Sequence, residues 1–467
     1  MLKKIKKANQ NYINYPQGEK NSDIFQWQIK KTRWLFFALC FYLISQGFTI
    51  PILPIGPWAT WPNFSDLGVL LIVLTFLLNI NQKNLLASSS NQQLIKILIV
   101  ILVLSIWSHL GYLSNLVDGD AFGIKLGIYQ IYRLVQFVCI FWATSKIPLT
   151  TERIKLLKQI TTFILIFVCL SILLTFSGIF PMGLLIAHLP QSLDGSGPWY
   201  YYVLAEKAGG KGWGTIGYNH AYVAVQVVML VTLRIHLAQG KQVILNFCLL
   251  LLSLICCFFS ESRAGFFTIL IFATIYMLKK PAYTGILITI TAVIFISFGF
   301  VLSSPNISLV GLNATESSVL ERQSTILDAS NADNLSGRDE IWQERLNFLS
   351  KEPMLSITGI GFGAAWDYWG SGESAHMLPL HVIIENGILG LFIFCFLFYK
   401  ILYLLYKYEI AEKAIFWSTI GLLLSSSTQE TFYPVPAFGH FLGLYLCSVA
   451  IALRNSETNK LKNMKII

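Results

Sequence analysis

The sequence predicts an all-α, polytopic integral membrane protein with about twelve transmembrane helices and one large external loop that contains short helices. Three observations predict it: a composition too apolar for a soluble chain, apolar runs of membrane-crossing length, and Lys and Arg gathered on alternate sides of those runs. Of the 467 residues, 55% are hydrophobic, 14% aromatic and only 12% charged, and the mean hydropathy is +0.61. A soluble domain carries charge on about 25% of its residues.

A helix needs about 20 apolar residues to cross the hydrocarbon core of a bilayer. By that rule the segments run approximately 34 to 53, 65 to 80, 94 to 113, 124 to 143, 158 to 180, 218 to 235, 242 to 259, 264 to 278, 282 to 302, 377 to 399, 413 to 428 and 437 to 453. The second, eighth and eleventh are short, which suits a small tilt or a partly re-entrant path.

Charge tests this count independently. With both ends in the cytoplasm, most of the 34 Lys and Arg fall on inside segments, leaving outside only Lys125, Lys207, Lys211, Arg263, Arg322, Arg338, Arg345 and Lys351. Arg133 is mid-helix. The positive-inside rule is thus obeyed along the chain. The net charge of +10 is spread over short loops, so membrane lipids and no nucleic acid are the expected partners. The chain divides into a basic cytoplasmic tail (1–33), helices one to nine (34–302), a large external loop expected to carry catalytic elements (303–374), helices ten to twelve (375–453) and a cytoplasmic tail (454–467). The first 33 residues lack the apolar core and cleavage site of a signal peptide, so the first membrane helix is expected to direct insertion. All eight cysteines lie in apolar segments and read as small core residues, not as disulfides or metal ligands.

Two outside segments are long enough to hold structure. Residues 181–217 contain GSGPWYYYVLAEKAGGKGWG, rich in turn formers and interfacial aromatics, but Gly210-Lys211 lacks the pattern of a phosphate-binding P-loop. In residues 303–374, Ser336 and Asp339 of SGRDEIW resemble a capping box. The helix that follows aligns Ile341, Trp342, Arg345, Leu346 and Leu349 on one face, for the membrane or the bundle, and Pro353 ends it. Arg338 then projects from its first turn. GIGFGAAW next supplies closely spaced glycines for tight turns.

The most informative stretch is SAHMLPLHVIIENGILGL, residues 374–391, where external loop becomes membrane helix. Pro379 is tolerated in a first helical turn, so a helix from near Leu378 puts His376 at its N-terminus. The positive helix end disfavours imidazole protonation, and its free N–H groups receive anions. A neutral His beside an anion pocket suits a general base; the alternative is that His376 satisfies a polar helix end. His381 and Glu385 share a face four residues apart, which makes His381 the rival base or the pair a helix-stabilising contact. Arg263 in SESRAG faces a cavity or partner, or else pairs with Glu261 at the surface. Arg133, flanked by Gln130 and Gln136, forms a polar stripe inside the membrane that serves structure or substrate binding. Asn219 opens the sixth helix as a cap or a contact residue. Trp366, Tyr368 and Trp369 can stack on sugar rings or anchor at the interface. No metal-ligand spacing or nucleophile elbow appears, so a metal-independent reaction without cofactor is expected.

In order and spacing, SESRAG, SGRDEIW in a large outside loop, GIGFG and AHMLPLHVIIENGILGL resemble the O-antigen ligase and polymerase superfamily of bacterial envelope glycosyltransferases, most clearly over residues 205–395. The resemblance implies an undecaprenyl-diphosphate-linked glycan donor, a glycan, lipid or protein acceptor, and transfer at the outer face of the bacterial cytoplasmic membrane. It implies that Arg263 and Arg338 hold the diphosphate and that His376 assists the acceptor, with Glu385 orienting. Met377 and Pro379 depart from the Asn and the aromatic that often follow the family His. The rival reading is a transporter or flippase of a lipid-linked anionic glycan, which predicts inverted repeats and broken helices; the sequence has no internal repeat.

Overall fold

The structure, a computed structural model, describes residues 27–48, 62–78, 89–114, 122–177, 212, 214, 220–280, 285, 338–369, 375–409, 412–434 and 440–463. Among the described residues it is all-helical apart from loops. The helices are α1 (Arg33–Ser45), α2 (Phe64–Leu77), α3 (Ser89–Ser114), α4 (Phe122–Lys146), α5 (Thr151–Phe176), α6 (His220–Ala238) and α7 (Val243–Phe259). They continue as α8 (Arg263–Leu278), α9 (Arg338–Lys351), α10 (Pro353–Thr358), α11 (Ala365–Tyr368), α12 (Leu378–Tyr408), α13 (Ala414–Ser425) and α14 (Phe441–Asn463).

Eleven of the twelve predicted apolar segments coincide with one of these helices; the ninth, 282–302, lies outside the described residues apart from residue 285. Among the described residues five helices are long and apolar enough to cross a membrane, in α3, α4, α5, α6 and α12, and α1, α2, α7, α8, α13 and α14 are shorter apolar helices. The segments expected to be short are so: α2 has 14 residues, α8 has 16 and α13 has 12. α1 ends at Ser45, short of the expected 53, and α14 runs beyond the expected 453 to Asn463.

Local sequence explains the starts. Asn63 accepts hydrogen bonds from the amides of Ser65 and Asp66 while Asp66 accepts from the Asn63 amide at 2.7 Å, a complete capping box for α2. Thr150 caps α5 and Ser262 caps α8 in the same way with one bond each. Pro353 ends α9 and occupies the first turn of α10, where its missing N–H costs nothing.

α6 is the hub. Its sequence is mostly apolar with a few polar residues, Gln226, Thr232, Arg234 and His236, and a helix of this kind is stable only when surrounded. Accordingly 94% of its membrane-crossing window is buried, against 33% for α3, and it packs on α5, α7, α8, α13 and α14. A second group joins α3 to α4 and to α12, and α4 packs on α14.

Polar contacts define the two ends of this bundle. At one end Ser45 meets Ser65, Ser262 meets Ala221, and the Leu378 amide donates to the Ser426 carbonyl at 2.9 Å. At the other, Arg153 meets Thr32, His236 meets Glu409 at 2.9 Å, and Lys280 meets Glu412 at 2.8 Å. Lys146, Arg153, Lys155, Lys158, Arg234, Lys241, Lys279, Lys280 and Lys413 cluster towards this second end. Arg263, Arg338 and His376 belong to the first.

Candidate functional site

The site forms where α9, the glycine loop 359–364, the start of α12 and the turn after α13 converge. α12 begins at Leu378 with Pro379 in its first turn, as the sequence expects, and Met377 as an extended N-cap. His376, just before it, has a φ of +49°, a left-handed conformation that non-glycine residues seldom adopt. That turn directs the imidazole toward the 426–434 segment. His376 Nδ1 is 3.8 Å from Glu430 Oε2; the His side chain is 37% exposed and the Glu side chain 1%. Neither carboxylate oxygen of Glu430 has a hydrogen bond among the described residues. A carboxylate buried in this way is costly unless a positive charge offsets it, and an imidazole that gains a proton supplies that charge.

α9 clamps the same place from outside. Arg338, its first residue, donates from Nη1 to the Thr428 carbonyl at 2.8 Å, and Trp342 donates from Nε1 to the Ala375 carbonyl at 2.8 Å. One turn farther, the Arg345 guanidinium lies 3.6 Å from the Trp369 ring centroid, and Phe348 meets both Tyr368 and Trp369 edge-on. The expected inner face therefore holds for Trp342, Arg345 and Leu349, whereas Leu346 is 56% exposed. Trp369 spends its face on Arg345, while Tyr368 is exposed; the side chain of Trp366 lies outside the described residues. Ser336 and Asn219 also lie outside them.

Inside the first turns of α12, the expected pair forms. His381 Nε2 is 3.7 Å from Glu385 Oε2, and the Ala375 amide donates to His381 Nδ1 at 3.4 Å. With Nδ1 accepting, a neutral His381 carries its proton on Nε2, facing Glu385. Tyr433 donates its hydroxyl to the same carboxylate oxygen and packs edge-on against the His381 ring at 4.5 Å. Burial, followed by the neighbouring Glu385 carboxylate, holds the Tyr433 hydroxyl well above the ordinary tyrosine value, so it remains a donor. Both His381 and Glu385 are buried, which sets them apart from the half-exposed His376.

The glycine loop fixes this arrangement. Gly359, Gly361 and Gly363 have φ of +79°, +119° and +87°. A Cβ on them would run into Glu385, Tyr112 and Gly127 respectively. This close approach lets the amides of Ile360 and Gly361 donate to the carbonyls of Ile384 and Glu385 at 2.8 and 3.2 Å, and Ser108 donates to the Glu385 carbonyl at 2.6 Å. Those carbonyls are free because α12 is interrupted at Gly387, φ +68° and ψ −177°. α3 and α4 grip the loop's far side: His109 Nδ1 lies 2.8 Å from the Phe362 carbonyl, and Asp367 accepts from the Tyr112 hydroxyl and, at 3.0 Å, from the Gly123 amide.

Arg133 is not brought to this cluster. It is fully buried, donating to Asp66 Oδ1 at 2.7 Å, to Gln136 at 3.3 Å, and to His440 and Tyr129. Arg263 opens α8 at the same end of the bundle as His376. Glu430, Tyr433, Asp367 and Ser108 escaped sequence reasoning. Glu430 left one signal, an acidic residue in the short turn STQETFYP between two apolar segments. Among the described residues no group of three or more His, Cys, Asp or Glu is disposed to hold a metal ion.

No curated protein matches the chain. Residues 248–395 match the family model described as O-antigen ligase, a stretch that includes Arg263, Arg338, His376, His381 and Glu385 but ends before Glu430 and Tyr433. Over this stretch the chain is similar to the O-antigen ligase family, which supports a membrane role in polysaccharide assembly.

Proposed function

We propose that the protein transfers or polymerises an undecaprenyl-diphosphate-linked oligosaccharide onto an acceptor hydroxyl at the outer face of the bacterial cytoplasmic membrane, without metal or nucleotide sugar. The observation that carries this reading is the half-exposed His376 backed by the buried carboxylate of Glu430, beside Arg338. Glu430 lies nearest Nδ1, and Nε2 is the nitrogen assigned to the acceptor.

As the acceptor oxygen bonds to the anomeric carbon, the bond from that carbon to the donor's diphosphate breaks. His376 takes the hydroxyl proton, and Glu430 stabilises the resulting imidazolium. Undecaprenyl diphosphate leaves with the bonding electrons, and Arg338 and Arg263 stabilise its developing charge. Base catalysis of this kind contributes about 10² to 10⁴ in rate. His381, Glu385 and Tyr433 form the packed support beneath. Among the described residues, Tyr368 is an exposed aromatic for a sugar ring. Both termini are read as cytoplasmic, since the basic clusters gather at the end of the bundle opposite His376.

Proteoliposomes supplied with a lipid-linked oligosaccharide and no added metal or nucleotide test the reading, with product glycan and released lipid diphosphate both followed. Wild type forms product, while His376→Ala and Arg338→Ala, folded and equally abundant, fall by at least about a hundredfold. Product formation unchanged in both variants overturns the site. The interruption of α12 at Gly387 favours a second reading, a carrier of a lipid-linked anionic glycan. Donor crossing the bilayer without product would support that reading instead.

A further inference from the structure

At the end of the bundle opposite His376, a cavity of about 320 Å³ opens between α5, α6 and α7. Its polar lining is Lys158, Gln159, Thr162, Arg234 and Gln242; Phe163, Ile166 and Leu245 complete it with apolar surface. Of the polar residues only Arg234 is buried, while Gln159 and Gln242 are exposed like the apolar strip. Arg234 is 1% exposed, whereas Phe163, Ile166 and Leu245 are 62%, 37% and 42% exposed on the outer flank of the helices.

The charge balance of this cavity is unusual. Arg234 donates from Nε to Thr162 at 2.6 Å, from Nη1 to Asn246 at 3.0 Å and from Nη2 to Gln242 at 2.8 Å. All three acceptors are neutral. Among the described residues no carboxylate pairs with Arg234 or Lys158, in contrast to Arg133 with Asp66 and Lys280 with Glu412 at 2.8 Å. Lys155, one turn before Lys158, and Lys241, next to Gln242, add positive charge at the rim. A buried guanidinium fixed by neutral acceptors keeps its full charge and two further N–H donors, so an anion entering the cavity offsets a cost the fold otherwise carries.

We propose that this cavity binds the phosphate of an anionic phospholipid headgroup from the leaflet opposite the transfer site. Lys158 and Arg234 receive the phosphate, with Gln159 and Thr162 as polar neighbours, while the acyl chains descend over Phe163, Ile166 and Leu245. A free phosphate would use the cations alone; the adjoining apolar strip selects the lipid. The bound lipid bridges α5 and α7 across α6, the hub of the bundle. The proposal is independent of the transfer reaction, because the cavity and His376 lie at opposite ends.

Full-length protein in a zwitterionic detergent is titrated separately with phosphatidylglycerol, phosphatidylcholine and inorganic phosphate, and bound ligand is counted by native mass spectrometry. Phosphatidylglycerol is expected to saturate at one tight site, with phosphatidylcholine retained far less. Lys158→Gln is expected to weaken that site about fivefold, the effect of one basic residue near an anionic headgroup. Lys407→Gln, a cation at the same end on α12, leaves it unchanged. Because Lys158 makes no salt bridge among the described residues, its variant is expected to retain the fold. Leu245→Glu, at an exposed position, introduces a carboxylate at the mouth and weakens the site as well. Equal retention of both lipids, unchanged affinity in both cavity variants, or displacement of phosphatidylglycerol by equimolar inorganic phosphate would each overturn the proposal.

Discussion

Nδ1 of His376 stands 3.8 Å from Oε2 of Glu430, a carboxylate 1% exposed whose oxygens accept no hydrogen bond among the described residues. Glu430 thus sits in the position of a group that acts through the histidine. Glu430→Gln keeps the shape and removes the charge that would stabilise an imidazolium. Its expected result is a fall in kcat of about tenfold or more, smaller than that of His376→Ala, since removal of a base costs about 10² to 10⁴. KM for the lipid-linked donor changes little. Initial-rate kinetics on the proteoliposome reaction check both parameters.

Tyr433 and Glu385 give a stability prediction with a pH signature. Tyr433→Phe leaves a buried carboxylate oxygen short of its donor, at a cost of about 1–3 kcal/mol. Because burial holds the folded Tyr433 hydroxyl well above the ordinary tyrosine value of about 10, its contribution is complete below about pH 10 and is lost as pH rises beyond it. The gap in thermal stability between wild type and Tyr433→Phe is therefore constant at neutral pH and narrows above about pH 10. Thermal melts of the detergent-solubilised pair across that range measure it.

Glycine substitutions should separate by position. At Gly361, φ is +119° and an added Cβ would meet Tyr112, so Gly361→Ala is expected to lower stability by more than about 1 kcal/mol and to reduce transfer with it. Gly111 in α3 has nothing within 4 Å of an added Cβ, and Gly111→Ala is expected to stabilise by up to about 1 kcal/mol. Melting temperatures of the two variants decide the matter, and identical effects would contradict the packing described for the loop.

The buried pair of Arg133 and Asp66 carries a different expectation. Asp66→Leu alone strands the guanidinium and is expected to cost about 3–5 kcal/mol. The double variant Arg133→Met with Asp66→Leu removes both charges and costs less than the single one. Folded yield after solubilisation, with a melt on whatever survives, reads the difference.

The helical layout was legible because lipid imposes it: apolar length and charge sidedness are written residue by residue, and eleven expected segments have their helix. The start of α12 was equally legible, since Pro379 admits only one place in a helix, and the four-residue spacing of His381 and Glu385 put them on one face. Contacts between distant segments were not. Glu430 follows His376 by more than fifty positions, and no periodicity links them. The flanking Gln130 and Gln136 mark Arg133 as part of a polar stripe, but its partner Asp66 lies on another helix, so the sequence leaves structure and substrate binding equally open. The spacing of GIGFG shows only that turns are permitted; that Gly359 lets the backbone press against Glu385 is visible in the fold alone.

The interruption at Gly387 makes α12 two rods with one joint. The long rod, below, is exposed along much of its length, and bilayers of different thickness impose different tilts on such a rod. The short rod above is fastened elsewhere: Ser426 holds its first amide, Ile360, Gly361 and Ser108 hold its last carbonyls, and Trp342 holds the residue beside His376. The two rods are therefore held by different neighbours, and Gly387 itself is packed against the backbone of Ile357 and Gly359. His376, His381 and Glu385 thus take their positions from the loops around them, and the long rod takes its own from the bundle and the bilayer.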